Sequence, residues 1–138
     1  MIGQLAELNW IGVLLAFVAY FLLGALWFTL FFSKQYKISL GRENETLQNK
    51  APIFIVGPAL CSLVITIASA VLIYALKVRS FDEALKFSLF VGIGYLFANT
   101  VNIAINPNIP RPILYGVITG TYHLLGMLIV SIILIVVK

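Results

Sequence analysis

Four stretches of this chain carry no charge over a length that matches the hydrocarbon thickness of a bilayer. Trp10 to Phe32 and Pro52 to Leu76 contain no Asp, Glu, Lys or Arg, nor do Phe87 to Ile105 and Ile113 to Val137. A membrane-spanning helix needs about 20 apolar residues at ~1.5 Å rise each. The pattern therefore predicts an all-α integral membrane four-helix bundle. The expected helices cover about 9–32, 52–76, 81–106 and 112–137. An even number of spans puts both termini on the same side. Transmembrane strands run about 10 residues with alternating polarity, and no stretch here alternates. The opening "MIGQLAELNW" has no Lys or Arg, and the run after it exceeds the core of a signal peptide. The first stretch is thus read as a span.

Composition agrees. Hydrophobic residues make up 62% of the 138 residues and charged ones 10%, against about half and a quarter in a soluble domain. The connectors leave no length for a second core, so residues 1–138 read as one four-span membrane domain. The net charge of +4 lies in the loops, where it suits lipid head groups rather than nucleic acid. The lipid bilayer is the expected partner. The lone Cys61 can form no internal disulfide and reads as a packing residue.

The connectors carry helix punctuation. "SFDEA" reads as a start: Ser80 as cap, Asp82 and Glu83 in the first turn against the positive dipole end. "NPNIPRP" cannot continue a helix, and Pro112 suits the first turn of the fourth span. Pro52 does the same for the second span, and Pro58 predicts a kink near its start. "KQYKISL" suits a short amphipathic turn lying in the interface. Orientation is nearly balanced. Lys77, Arg79, Lys86 and Lys138 lie on the side of the termini; Lys34, Lys37, Arg42, Lys50 and Arg111 lie opposite. That bias weakly places the termini outside, and it leaves room for insertion in both directions.

Helices in lipid associate through small residues, close packing and interhelical hydrogen bonds. On the third span Ser88, Gly92, Tyr95, Asn99, Asn102 and Asn106 follow steps of four and three, which predicts one polar stripe on one face. The fourth span repeats the pattern with Gly116, Thr119, Gly120, His123, Gly126 or Met127, and Ser131. Gly12 and Ala16 with Tyr20 mark a similar face on the first span, and Ser62, Thr66 and Ser69 on the second. Counted at ~1.5 Å per residue from the loop-one side, His123, Tyr95, Ser62 and Tyr20 all lie roughly 15–18 Å deep. The third and fourth spans are joined by a short connector, so His123 is expected to meet Tyr95, with Asn99 a turn away. The candidate polar layer is therefore His123, Tyr95, Asn99, Asn102, Ser62 and Tyr20. Gly116, Gly120, Gly126, Gly92, Gly12 and Ala16 are the candidate packing residues.

His123, the only histidine, lies in "GTYHLLG" near the middle of the fourth span. It can be a neutral imidazole holding the bundle in register. It can also be a titrating or ligand-contacting group, since ionisable residues inside membranes are functional candidates. One histidine, one cysteine and no mid-membrane carboxylate imply no metal site, and nothing in the sequence implies a cofactor.

Two stretches carry a resemblance. "LNWIGVLLAFVAYFLLGALWFTLFFSKQY" has Asn-Trp at its start, Gly-x-x-Trp-aromatic near its end, then Phe-x-Lys and an aromatic. "RPILYGVITGTYHLLGML" has Arg-Pro, a small-residue helix with Tyr-His, then Gly. Together they resemble the bacterial membrane family catalogued as domain of unknown function 1761. The resemblance implies a small multi-span protein of a bacterial cytoplasmic membrane, with no activity to carry over. It maps the family's motif onto Asn9, Trp10, Gly24, Trp27, Phe32, Lys34, Arg111, Pro112, Tyr122 and His123.

Three functions fit these observations. The first is a carrier or pore for a small molecule or ion, working as a homo-oligomer and resting on the polar stripes. The second is a structural or accessory membrane subunit whose stripes are packing surfaces. The third is a membrane enzyme of the four-helix, glutathione-using type. The third is disfavoured: the three arginines all sit in loops, and no nucleophile–base pair is visible. No catalytic residue is assigned.

Overall fold

The computed structural model describes residues 2–46 and 51–137. Lys50 and Lys138, counted above in the charge balance, lie outside the described residues. Four helices are long and apolar enough to cross a bilayer: Trp10–Phe31, Ile53–Ala75, Phe81–Ala104 and Pro112–Val136. They are the first to fourth spans. No strand occurs among the described residues. A 3-10 turn, Ile2–Ala6, precedes the first span, and a surface helix, Ser33–Ser39, follows it.

The helix ends follow the local chemistry. Ser80 and Glu83 form a reciprocal capping box at the start of the third span. Pro112 occupies the first turn of the fourth, where its missing N–H costs nothing. The second span passes through Pro58 as continuous helix. Its first residues, Ile53, Phe54, Ile55 and Val56, are exposed on every side, so this end stands apart from the other helices.

The fourth span is the hub. Half of its most apolar window is buried within the protein, against 22–28% for the other three. Glycines explain why it can be surrounded. A Cβ on Gly116 would lie 3.1 Å from the Val101 side chain, and one on Gly120 would lie 2.6 Å from the Phe97 ring. A Cβ on Gly126 would overlap the Tyr20 ring. Each missing side chain thus admits a knob from a neighbouring helix, the route by which helices pack closely in lipid.

Asn9 ties the side of the termini together. Its Oδ1 caps the first span by accepting from the N–H groups of Ile11 (3.1 Å) and Gly12 (3.3 Å). Its Nδ2 donates to the Val137 carbonyl at the end of the fourth span. Its own N–H donates to the Tyr74 hydroxyl at the end of the second, at 3.1 Å. One side chain and its backbone therefore connect three helix ends.

On the other side the surface helix lies against the start of the fourth span. Tyr36 packs on Tyr115 with ring centroids 5.7 Å apart, and on Phe28 at 4.9 Å. The Arg111 N–H donates to the Ser39 carbonyl at 3.2 Å. The Arg111 guanidinium meets Glu43 at 3.3 Å. Below this layer Trp27 stacks on Phe32 (4.4 Å) and donates its indole N–H to the buried Ile118 carbonyl at 3.0 Å.

Candidate functional site in the bundle centre

The polar layer centres on Tyr20, Tyr122 and His123. Tyr20 comes from the middle of the first span and is fully buried; its ring occupies the notch at Gly126. The Tyr20 hydroxyl and His123 Nδ1 are hydrogen-bonded at 2.5 Å, joining residues 103 positions apart. With the imidazole neutral and its proton on Nε2, the hydroxyl donates and Nδ1 accepts. Tyr122 stacks on Tyr20 (centroids 5.3 Å, planes 30° apart) and leans on His123 at 4.7 Å. Phe28 closes the other side of Tyr122 edge-on at 5.4 Å. An aromatic column thus runs from mid-membrane through Tyr122, Phe28 and Tyr36 to Tyr115 at the surface.

His123 meets the first span here, whereas the residue spacing pointed to Tyr95. Tyr95 is 67% exposed on the outer face of the third span, and Asn99 and Asn102 are exposed beside it. The cause is local. Residues Gly92–Phe97 form a π turn inside the third span. A π turn closes i to i+5 and advances the helix by one extra residue, about 100° of rotation. Up to its first residue, Ala84, Phe87, Ser88 and Gly92 are buried in the bundle. From its last two residues onward the less exposed set becomes Leu96, Phe97, Thr100, Val101 and Ala104. The stripe read as continuous is split: its first half turns in and its second half turns out.

The hydroxyls of the second span are buried but locked locally. Ser62 donates to the Pro58 carbonyl (2.9 Å), Thr66 to Ser62 (2.7 Å) and Ser69 to Ile65 (2.7 Å). Such back-bonding satisfies a hydroxyl without a ligand. Among the small residues, Gly92 receives Leu124, Gly12 faces Val137, and Ala16 is fully buried. Of the motif positions, Gly24 faces the Tyr122 hydroxyl, Trp10 is 52% exposed toward lipid, and Lys34 is exposed. Among the described residues no three of His, Cys, Asp or Glu gather as a metal site.

One group of residues escaped the sequence reading. Gln4, Glu7, Tyr74, Lys77 and Arg79 line a recess on the side of the termini. The basic residues were visible as loop charges. Their meeting with the 3-10 turn depends on how the chain folds back along the second span.

Four apolar spans, three of them packed on a glycine-notched fourth, with a tyrosine–histidine pair between the first and the fourth, define a multi-pass membrane protein. Within that class, the family model described as protein of unknown function (DUF1761) matches residues 11–135, and the chain belongs to that family. No curated protein and no solved structure was found to match it.

Proposed function

We propose that this protein works in a bacterial cytoplasmic membrane as a homo-oligomer whose third spans meet. The polar seam between copies would be the path of a small molecule or ion. One observation carries this reading: Tyr95, Asn99 and Asn102 face outward from a single copy within the uncharged stretch of the third span. Asn99 lies ~8 Å and Tyr95 ~14 Å inside the end of that helix. An amide turned to hydrocarbon without a partner costs several kcal/mol, on the order of 4–8 on the cyclohexane scale. The same face has small residues. Apart from its chain neighbours and its own helix backbone, nothing lies within 4 Å of where a Gly94 Cβ would stand, and Ala98 is exposed one turn on. Gly94-x-x-x-Ala98 lets a second helix approach closely enough for asparagines to bond across the seam.

A second reading is an accessory subunit, its third span docking a different membrane protein. It is favoured by the closed state of the inner layer, where Tyr20 is fully buried and its hydroxyl engaged by His123. Native mass spectrometry of the intact protein from mild detergent separates the two. The oligomer reading expects a defined multimer that Asn99→Leu with Asn102→Leu reduces to monomer. It also expects ion or solute flux in proteoliposomes that the same pair abolishes. A wild-type monomer without flux overturns it and leaves the accessory role.

A further inference from the structure

The second span ends in an unusual way. The Val78 N–H returns to the Ile73 carbonyl (3.0 Å) and the Lys77 N–H to the Tyr74 carbonyl (3.2 Å). This is the Schellman arrangement, whose turning residue adopts the left-handed conformation and is normally glycine. Here it is Lys77, with φ +56°, the one non-glycine residue with positive φ among those described. A lysine kept where glycine would be unstrained suggests that its side chain is needed there.

That side chain borders the recess. Lys77 and Arg79 line it together with Gln4, Glu7, Tyr74 and Ala75, around a volume of about 340 Å³. Neither Lys77, Arg79 nor Glu7 enters an ion pair with another described residue. The recess lies where the second span ends at Ala75 and the first begins at Trp10, the level of lipid head groups. Exposed Leu5, Leu76 and Ile11 adjoin it in sequence and offer apolar surface for acyl chains.

We propose that this recess is a specific site for a phospholipid with one phosphodiester charge and a hydroxyl-bearing head group, the phosphatidylglycerol class. Two cations and one carboxylate leave a single positive charge, which one phosphodiester neutralises. The phosphate sits between Lys77 and Arg79, where charge-assisted hydrogen bonds are strongest. The head-group hydroxyls donate to the Glu7 carboxylate and the Gln4 side-chain oxygen. This inference stands apart from the oligomer, because the recess belongs to one chain and lies off the third span.

The experiment is native mass spectrometry of the whole protein released from nanodiscs. These contain equal parts phosphatidylglycerol, phosphatidylethanolamine and phosphatidylcholine with identical acyl chains. Wild type is expected to keep one phosphatidylglycerol in preference to the other two. Lys77→Gly should lower that retention about tenfold, while thermal unfolding stays the same or moves upward because glycine relieves the turn. Lys77→Asn, which also tolerates the left-handed conformation, should behave alike. Lys34→Gln, an equal charge change elsewhere, should leave retention intact. Inorganic phosphate in millimolar excess should not displace the lipid. Equal retention of all three lipids, undiminished retention in Lys77→Gly, or displacement by inorganic phosphate would each overturn the proposal.

Discussion

The third and fourth spans carry similar sequences of small and polar residues, yet they use them oppositely. The fourth turns Gly116, Thr119, Gly120, Gly126 and Ser131 into the bundle and is half buried in its apolar window; the third is 22% buried there. The third turns Ser88 and Gly92 inward but Gly94, Tyr95, Asn99 and Asn102 outward. In the first case small residues are sockets already filled by Val101, Phe97 and Tyr20. In the second, Gly94 is an empty socket. The difference teaches that composition and spacing identify a packing face, while helix phase decides whether the chain itself fills it.

Filling a socket is the strongest way to break the comparison. Gly126→Leu places a branched side chain where the Tyr20 ring lies, with no flexible neighbour to yield. Overpacking of this kind costs roughly 1–3 kcal/mol and occasionally more, and here it also expels the hydrogen-bond partner of His123. The expected result is loss of folded protein, read by thermal unfolding in detergent. Gly94→Leu is the counterpart. It should leave the unfolding of a single copy within about 0.5 kcal/mol of wild type, yet abolish the multimer that the proposed seam predicts, with native mass spectrometry as the readout. If both variants unfold alike, Gly94 is not an open socket.

The next effect concerns the stitch at the helix ends. Asn9→Ala removes the cap of the first span and the bond to Val137 together. A lost cap costs about 1 kcal/mol, and the released carbonyl at the end of the fourth span adds to it. Destabilisation of about 1–2 kcal/mol is expected. Asn102→Ala, the same chemical change on the outward face, should cost a single copy almost nothing. Trp27→Phe is a further inner test: it deletes the bond to the Ile118 carbonyl, worth about 1 kcal/mol, and adds the cost of the buried volume that the indole fills beyond a phenyl ring.

Much of the fold was legible because the bilayer leaves so few solutions. Uncharged runs fixed the number of spans, and "SFDEA" and "NPNIPRP" marked where helices begin. Helical spacing singled out Gly116, Gly120 and Gly126, and these positions lie against Val101, Phe97 and Tyr20. The partner of His123 did not. Depth can be counted from sequence at a fixed rise, so Tyr20, Tyr95 and Ser62 were all placed near its level. Direction around the axis cannot be counted once a π turn intervenes, and nothing in "GIGYLF" announces one. The interrupted phase moved Tyr95 to the lipid face and left Tyr20, brought in through Gly126, as the partner. The recess around Lys77 was hidden for another reason. A left-handed turn is a property of backbone geometry, and lysine, unlike glycine or asparagine, does not signal one.

The smallest effect sharpens the comparison most. Tyr20→Phe keeps the ring in the Gly126 notch and the stack on Tyr122, and removes only the hydroxyl bonded to His123. Side-chain hydrogen bonds inside membranes contribute about 0.6 kcal/mol on average and up to ~1.7. A loss in that range, with assembly state and any flux unchanged, makes the pair a register pin, and favours the proposal that the outward face of the third span is the working surface. Full loss of flux with stability held within that range makes the imidazole itself part of the path. The inner and outer faces would then be two sections of one route, with His123 the point where they join. Paired measurement of unfolding and flux on Tyr20→Phe and His123→Gln tells these apart, because loss of a register pin lowers stability and leaves flux intact, while loss of a path residue abolishes flux.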